Sequence, residues 1–145
     1  MTYTPSKFPP ATVLNAGATY TAIPAAGVAF SLTGGGTGGL GTWGATAFTL
    51  SKAGEYIATA YFDLTNDASS GSQIIAIQKG GVTQGNQTNV FRAASQSSSV
   101  GVIASFTGAV SDSITLLCVS KSGATIINGT GVFNIRFIPT AAFPQ

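Results

Sequence analysis

Residues 54–65 read GEYIATAYFDLT, and their alternation decides the fold. Tyr56, Ala58, Ala60, Phe62 and Leu64 share one face of an extended chain, while Ile57, Thr59, Tyr61 and Asp63 share the other. A period of two is the pattern of a β-strand with one face on a core. Working outward, VAFSLT and ATAFTLS precede this segment, and SQIIAIQK, TNVFRAA, VGVIASFTG, DSITLLCVS and TGVFNIRFI follow it. These pieces are rich in Val, Ile, Thr, Phe and Tyr, and Gly, Ser and Asn break them about every 8–12 residues. GGVTQGNQ, SQSSS, AVS and KSGATIING read as the loops between them. No segment carries a helical period. Seven or eight short strands predict an all-β sandwich or barrel of jelly-roll size.

The 145 residues suffice for one domain, which buries about 68–70% of its unfolded surface. Charged residues make up only 7% of the chain, against about 25% in an ordinary globular domain. Six Lys and Arg stand against four Asp and Glu, but Lys7, Lys52, Lys79, Arg92, Lys121 and Arg136 are scattered singly. No basic stripe forms, so no nucleic-acid partner is expected. A surface this poor in charge points to copies that cover one another.

Residues 1–26 differ from the rest. They hold Pro5, Pro9, Pro10 and Pro24 and show neither a helical nor an alternating period. Proline favours extended backbone, so this segment reads as an extended N-terminal arm, with the jelly roll spanning 27–145. Tyr3, Phe8, Val13, Leu14, Tyr20 and Ile23 are too apolar to stay in water. The arm must lie on its own barrel or on a neighbour. The opening MTYTPSKFPPATVL has no apolar core of a secretory leader, and no run of 18 apolar residues occurs, so neither a leader nor a membrane span is expected.

SKAGEYIATAYFDL, then IIAIQKGG, VGVIASFTGAV, DSITLLCV and TGVFNIRFI, resemble in order and spacing the jelly rolls of the complement and tumour-necrosis-factor-like family over roughly residues 53–138. Gly54, Tyr56, Asp112 and the closing apolar strand carry the likeness; where that family usually has Gly-Asp, this chain has Ser111-Asp112. The resemblance implies a homotrimer with aromatic and aliphatic faces on the threefold axis. Similar jelly rolls serve tailed bacteriophages as decoration (cement) proteins and fibre heads. The resulting expectation is a virion structural protein on the capsid surface, partnered by its own copies and by the major capsid protein. Tyr3, Phe8, Leu14, Tyr20 and Trp43 are the expected partner contacts. The alternative is a tail-fibre head that recognises host glycans through the Gln- and Asn-rich loops of 80–98, with Tyr61 or Phe91 stacking on a sugar.

The eleven residues Gly34 to Gly44 hold seven glycines. A phosphate-binding loop needs G-x-x-x-x-G-K-[ST], and no lysine occurs here before Lys52. The tract reads instead as a surface loop that lets backbone pass close to something else. Trp43, the single tryptophan, is either a plug over the barrel end or an anchor on a partner.

Chemistry finds little purchase. The chain has no histidine, which removes Ser-His and Cys-His nucleophiles. Glu55 and Asp63 share a strand face but stand about 26 Å apart at the usual rise, too far for a carboxylate pair. Cys118 lies in the apolar ITLLCVS and reads as a core residue. Asp63 to Ser69 offers oxygens that suit calcium, yet lacks the spacing of a calcium loop and reads as a turn. The Asn86 and Asn128 triplets of glycosylation type read as loop residues. The chain is expected to be no enzyme and to hold no cofactor or metal.

Overall fold

The computed structural model describes residues 15–22, 25–64, 71–92, 98–123 and 128–138. These form ten strands: β1 (Asn15–Ala22), β2 (Val28–Ala29), β3 (Gly41–Trp43), β4 (Ala47–Leu50), β5 (Gly54–Leu64), β6 (Gly71–Lys79), β7 (Val82–Arg92), β8 (Ser98–Gly108), β9 (Ser113–Gly123) and β10 (Asn128–Ile138). No helix occurs among the described residues. A smaller sheet has the order β1-β10-β5-β8, and a larger one β3-β4-β9-β6-β7 with β2 beside β9. Every pairing is antiparallel. The two sheets form the all-β jelly-roll sandwich expected from the strand pattern.

The alternation in β5 does what its sequence demands. Tyr56, Ala58 and Ala60 point inward and are buried. Across from them lie Val102, Ala104 and Phe106 of β8, and Phe133 and Ile135 of β10. The larger sheet answers with Phe48, Leu50, Ile75, Ile77, Ile114, Leu116 and Cys118. Cys118 is thus the core residue its apolar context suggests. Tyr56 stacks on Phe106 at 5.7 Å and meets Phe137 edge-on at 5.3 Å, while its hydroxyl donates to the carbonyl of Lys52. Gln73 is the exception inside: fully buried, with neither carboxamide atom hydrogen-bonded, a defect that costs about 1–3 kcal/mol.

Part of the proline-containing segment lies on its own sandwich. Residues 15–22 pair with β10 as β1, and Ala16, Ala18 and Tyr20 face inward. Their alternation is there in the sequence, but small alanines hide it. Residues 1–14, with Tyr3, Phe8 and Leu14, lie outside the described residues. Tyr20 meets Phe30 edge-on and donates from its hydroxyl to the carbonyl of Tyr61, two strands away. It reaches there by lying across Gly131, where an added Cβ would stand 2.4 Å from the ring.

Two further segments differ from the sequence reading. GGVTQGNQ is mostly strand: Gly80 and Gly81, at φ 56° and 84°, make a two-residue turn and β7 begins at Val82. Both central residues of such a hairpin turn need positive φ, which glycine supplies. Within β7, Gly85, Asn86 and Gln87 together oppose Ala76 in a bulge. VAFSLT shortens to Val28–Ala29, because Leu32 turns to bond Ala45 instead of β9.

The glycine tract covers the outer edge of β1. Gly17 N donates to Gly36 O, and Thr19 and Thr33 exchange both backbone hydrogen bonds. The approach is so close that a Cβ on Gly35 would lie 1.8 Å from Gly17 O, whereas Gly36 has open space. Gly35→Ala should therefore lower stability by about 1–3 kcal/mol and Gly36→Ala by less than about 0.5, as measured by chemical denaturation.

Burial pushes the Tyr20 phenol well above its ordinary value, and the Tyr56 phenol in the same direction. The folded state thus disfavours ionisation, so its stability is intact below the unfolded pKa of about 10 and falls as pH rises beyond it. Denaturation between pH 7 and 11 should show that decline. Tyr20→Phe should flatten it, at a cost near neutrality of about 1 kcal/mol for the lost hydrogen bond.

Candidate interaction surface

The outward positions of the smaller sheet are set by its register. Thr19, Val132, Tyr61 and Gly101 lie abreast across the four strands; Gly17, Asn134, Thr59 and Ile103 form the next row; Asn15, Arg136, Ile57 and Ser105 the third. Four large apolar side chains stand in the solvent on this face: Val132, Ile138, Tyr61 (53% exposed) and Ile103 (63% exposed). Tyr61 stands beside Gly101, which brings no side chain of its own to that position. Its backbone is held from below by the Tyr20 hydroxyl. The result is a firm surface carrying exposed apolar groups, which is unusual in a lone chain.

Charge is placed away from the middle of the walls. Lys52, Glu55, Lys79 and Asp112 gather at the end where β5 begins, and Arg136 lies one step inside it. By register, Asp63, Arg92 and Lys121 lie toward the other end. The central stretches 16–20, 58–62, 73–77, 84–90, 101–105, 115–120 and 131–135 contain no charged residue. At the charged end Lys79 Nζ lies 3.9 Å from Asp112 Oδ2 and donates to Thr107 O, whose own hydroxyl donates to Glu55 Oε1. Asp112 Oδ2 also accepts from Ala109 N, closing the turn that holds Ser111 at φ 75°. Exposed pairs of this kind contribute about 0–1 kcal/mol; they order the end of the sandwich without forming a reaction site.

The expected contact residues fall in different places. Tyr20 is interior, 2% exposed. Trp43 is half-buried at the end of β3, tilted on Phe48 at 4.5 Å and edge-on to Phe133 at 5.9 Å, with its indole N–H donating to Gly36 O. It therefore closes the sandwich over the glycine tract. Asp63 is in β5, and residues 65–69 of the calcium-like segment lie outside the described residues. Among the described residues no three of His, Cys, Asp and Glu come together. Ile103 and Val132 are the surface residues that sequence reasoning missed. The available signal was the apolar Ile57 and Tyr61 on the outward face of β5, but only long-range register reveals that the neighbouring strands continue it.

A second feature lies beside this face. The bulge in β7 brings Gly85, at φ 65°, against β8, where an added Cβ would lie 3.3 Å from Ala104 Cα. Gly85 and Asn86 thereby form one wall of a cleft of about 290 Å³ whose other residues are Ile57, Ile103, Ala104 and Ser105. A bulge at a sheet edge commonly redirects a side chain in this way.

No protein-family model matches the chain, and no curated protein is similar to it in sequence. Solved structures are similar to it in fold. The globular domain of zebrafish complement 1qA protein matches with a TM-score of 0.63 at 12% identity, over 87% of this chain and 99% of that one. The Eiger TNF from S. frugiperda matches at 0.54 and 8% identity, covering 92% and 97%. The PRD1 vertex protein P5 matches at 0.55 and 15% identity, covering 90% and 99%. None of the three is named as an enzyme. With so little shared sequence the likeness is one of fold: the chain is built as a jelly roll of the complement and tumour-necrosis-factor-like kind.

Proposed function

We propose that this chain is a non-enzymatic structural protein of a virion, which assembles as a homotrimer and decorates the capsid shell. The observation that carries the reading is the outer face of the smaller sheet. Val132, Tyr61 and Ile103 stand exposed there, and the charged residues keep to the ends. Burying apolar area stabilises association by about 25 cal/mol per Å² before the costs of ordering. Sister copies are the occupants that suit a wall whose centre carries no charge, since they present the same wall. The likeness to a virion vertex protein and to complement and TNF domains supports a shell component built from repeated copies. Tyr3, Phe8 and Leu14 are its proposed contacts with neighbours or with the major capsid protein. Binding only the assembled shell stabilises it by mass action.

A second reading is a fibre head that recognises host glycans. It is favoured by the β7 bulge, which leaves the carboxamides of Asn86 and Gln87 exposed.

Light-scattering mass of the purified chain should give three copies. Tyr61→Glu places a charge at the centre of the shared face, and should weaken association at least about tenfold while leaving the circular dichroism of the strands unchanged. Removing residues 1–14 spares all ten strands. That variant should remain trimeric and lose binding to purified capsids. Retained binding on a glycan array, with no capsid binding by the full chain, would establish the second reading in place of the first.

A further inference from the structure

At the end of the sandwich where β5 begins, the turns are tied into one block. Gly80 N donates to Ser113 O at 2.9 Å, and Lys79 Nζ, 3.9 Å from Asp112 Oδ2, joins the β6–β7 turn to the β8–β9 turn. Leu50 N donates to Asp112 O and Ser111 N to Leu50 O, which adds the β4–β5 connection. Most residues at these tips are small: Ser51, Ala53, Gly80, Gly81, Ala109 and Ser111. Val82 and Val110 stand out from them, 63% and 59% exposed, and Ile138 at the end of β10 is exposed beside them. The ions of this end are engaged within the chain. Lys79 donates to Thr107 O, Glu55 accepts from the Thr107 hydroxyl, and Lys52 Nζ stands 4.7 Å from the centre of the Phe137 ring.

The first and last strands meet at this same end. Asn15, where β1 starts, lies opposite Arg136, and β10 finishes two residues later at Ile138. Residues 1–14 and 139–145 are therefore attached here. They hold five of the six prolines, and Lys7 is their single charged side chain. Phe8 is seven residues from Asn15 and so reaches at most about 25 Å from it. The eleven residues of β5 run about 36 Å. Phe8 and Leu14, as capsid contacts, cannot serve a partner docked on the far end.

We infer that this end is the foot on which each copy stands on the shell, its partner an uncharged, apolar protein surface with hollows for Val82 and Val110. The inference rests on the capsid-binding reading above and adds which end of the molecule meets the shell. Charge decides the chemistry of the partner. A polyanion or a charged wall needs free ions to answer it, and Lys52, Glu55, Lys79 and Asp112 already have partners in their own chain. Order at the tips favours binding as well. Valine is stiff at χ1, and turns held by these hydrogen bonds have little freedom left to lose. Their small neighbours let a flat partner come close enough to cover both side chains. Cyclic symmetry then repeats the contact: in a closed trimer the same end of every copy lies at one level along the axis. Two valines from each copy face the shell together, so weak single contacts add up.

The test is a full-length chain carrying Val82→Glu and Val110→Glu. It should keep its light-scattering mass and the circular dichroism of its strands, and bind purified capsids at least about tenfold more weakly than the unsubstituted chain. Val28→Glu is the control: Val28 is 49% exposed but lies beside Cys118, halfway along β9, and its binding should be unchanged. A double variant that binds as tightly as the unsubstituted chain would overturn the foot and leave the capsid reading standing. An equal loss in Val28→Glu would also overturn it, because binding would then follow exposed apolar area anywhere on the molecule. An unsubstituted chain that binds no capsid would remove both. A readout that leaves the turns uncharged is maleimide labelling of Val82→Cys. Its rate should fall at least about tenfold on capsid binding, while that of Val28→Cys stays the same; an unchanged rate at position 82 in the bound state would count against the foot.

Discussion

The sandwich depends on the seating of Phe133. On β10 it lies between Ala18 of β1 and Ala60 of β5, so the ring has a small residue on each side. The larger sheet then meets it edge-on through Trp43. Large against small is how two layers interdigitate without voids. Replacing either alanine by a bulkier residue would push the ring out of this slot. The same logic recurs where Tyr20 crosses Gly131: a missing side chain on one strand admits a ring from the next. Much of the smaller sheet's interior is alanine for this reason, and the larger sheet supplies most of the isoleucines and leucines.

That division of labour inside has a counterpart outside. Because the smaller sheet fills its inner face with small residues and a few rings, its outer face is free to carry Tyr61, Ile103 and Val132. Its two edges are treated differently. The β1 edge is covered by backbone of the glycine tract, which brings no side chains and so fits closely. The β8 edge is met by β7 of the larger sheet, through the side chains of Thr88 and Lys79 and the close backbone of Gly85 between them.

Local pattern was enough for the strands that alternate large and small or polar residues, β5 and β9 above all. It was not enough where the inward residues are small: Ala16 and Ala18 gave β1 no apolar contrast. It also misled at GGVTQGNQ, where three glycines serve a tight turn and a bulge within one hairpin. The glycine tract was legible as a place of close backbone approach. What it approaches, the edge of β1, depends on contacts between distant segments. The same holds for the surface. Ile57 and Tyr61 announce an outward apolar face on β5, but Ile103 and Val132 join it only through a register that no short window contains.

The confinement of charge to the ends of the sandwich bears on how such copies would meet. Surfaces whose centres carry no ions form little field to guide encounter, so association is expected near the unsteered rates of about 10⁵–10⁶ M⁻¹s⁻¹. Nor do they have attractions for dissolved salt to screen over a Debye length of about 8–10 Å. Joining them strips water from neutral groups alone, which avoids the large dehydration cost of an ion. A shell held together by such walls would keep its cohesion in dilute and concentrated brine alike.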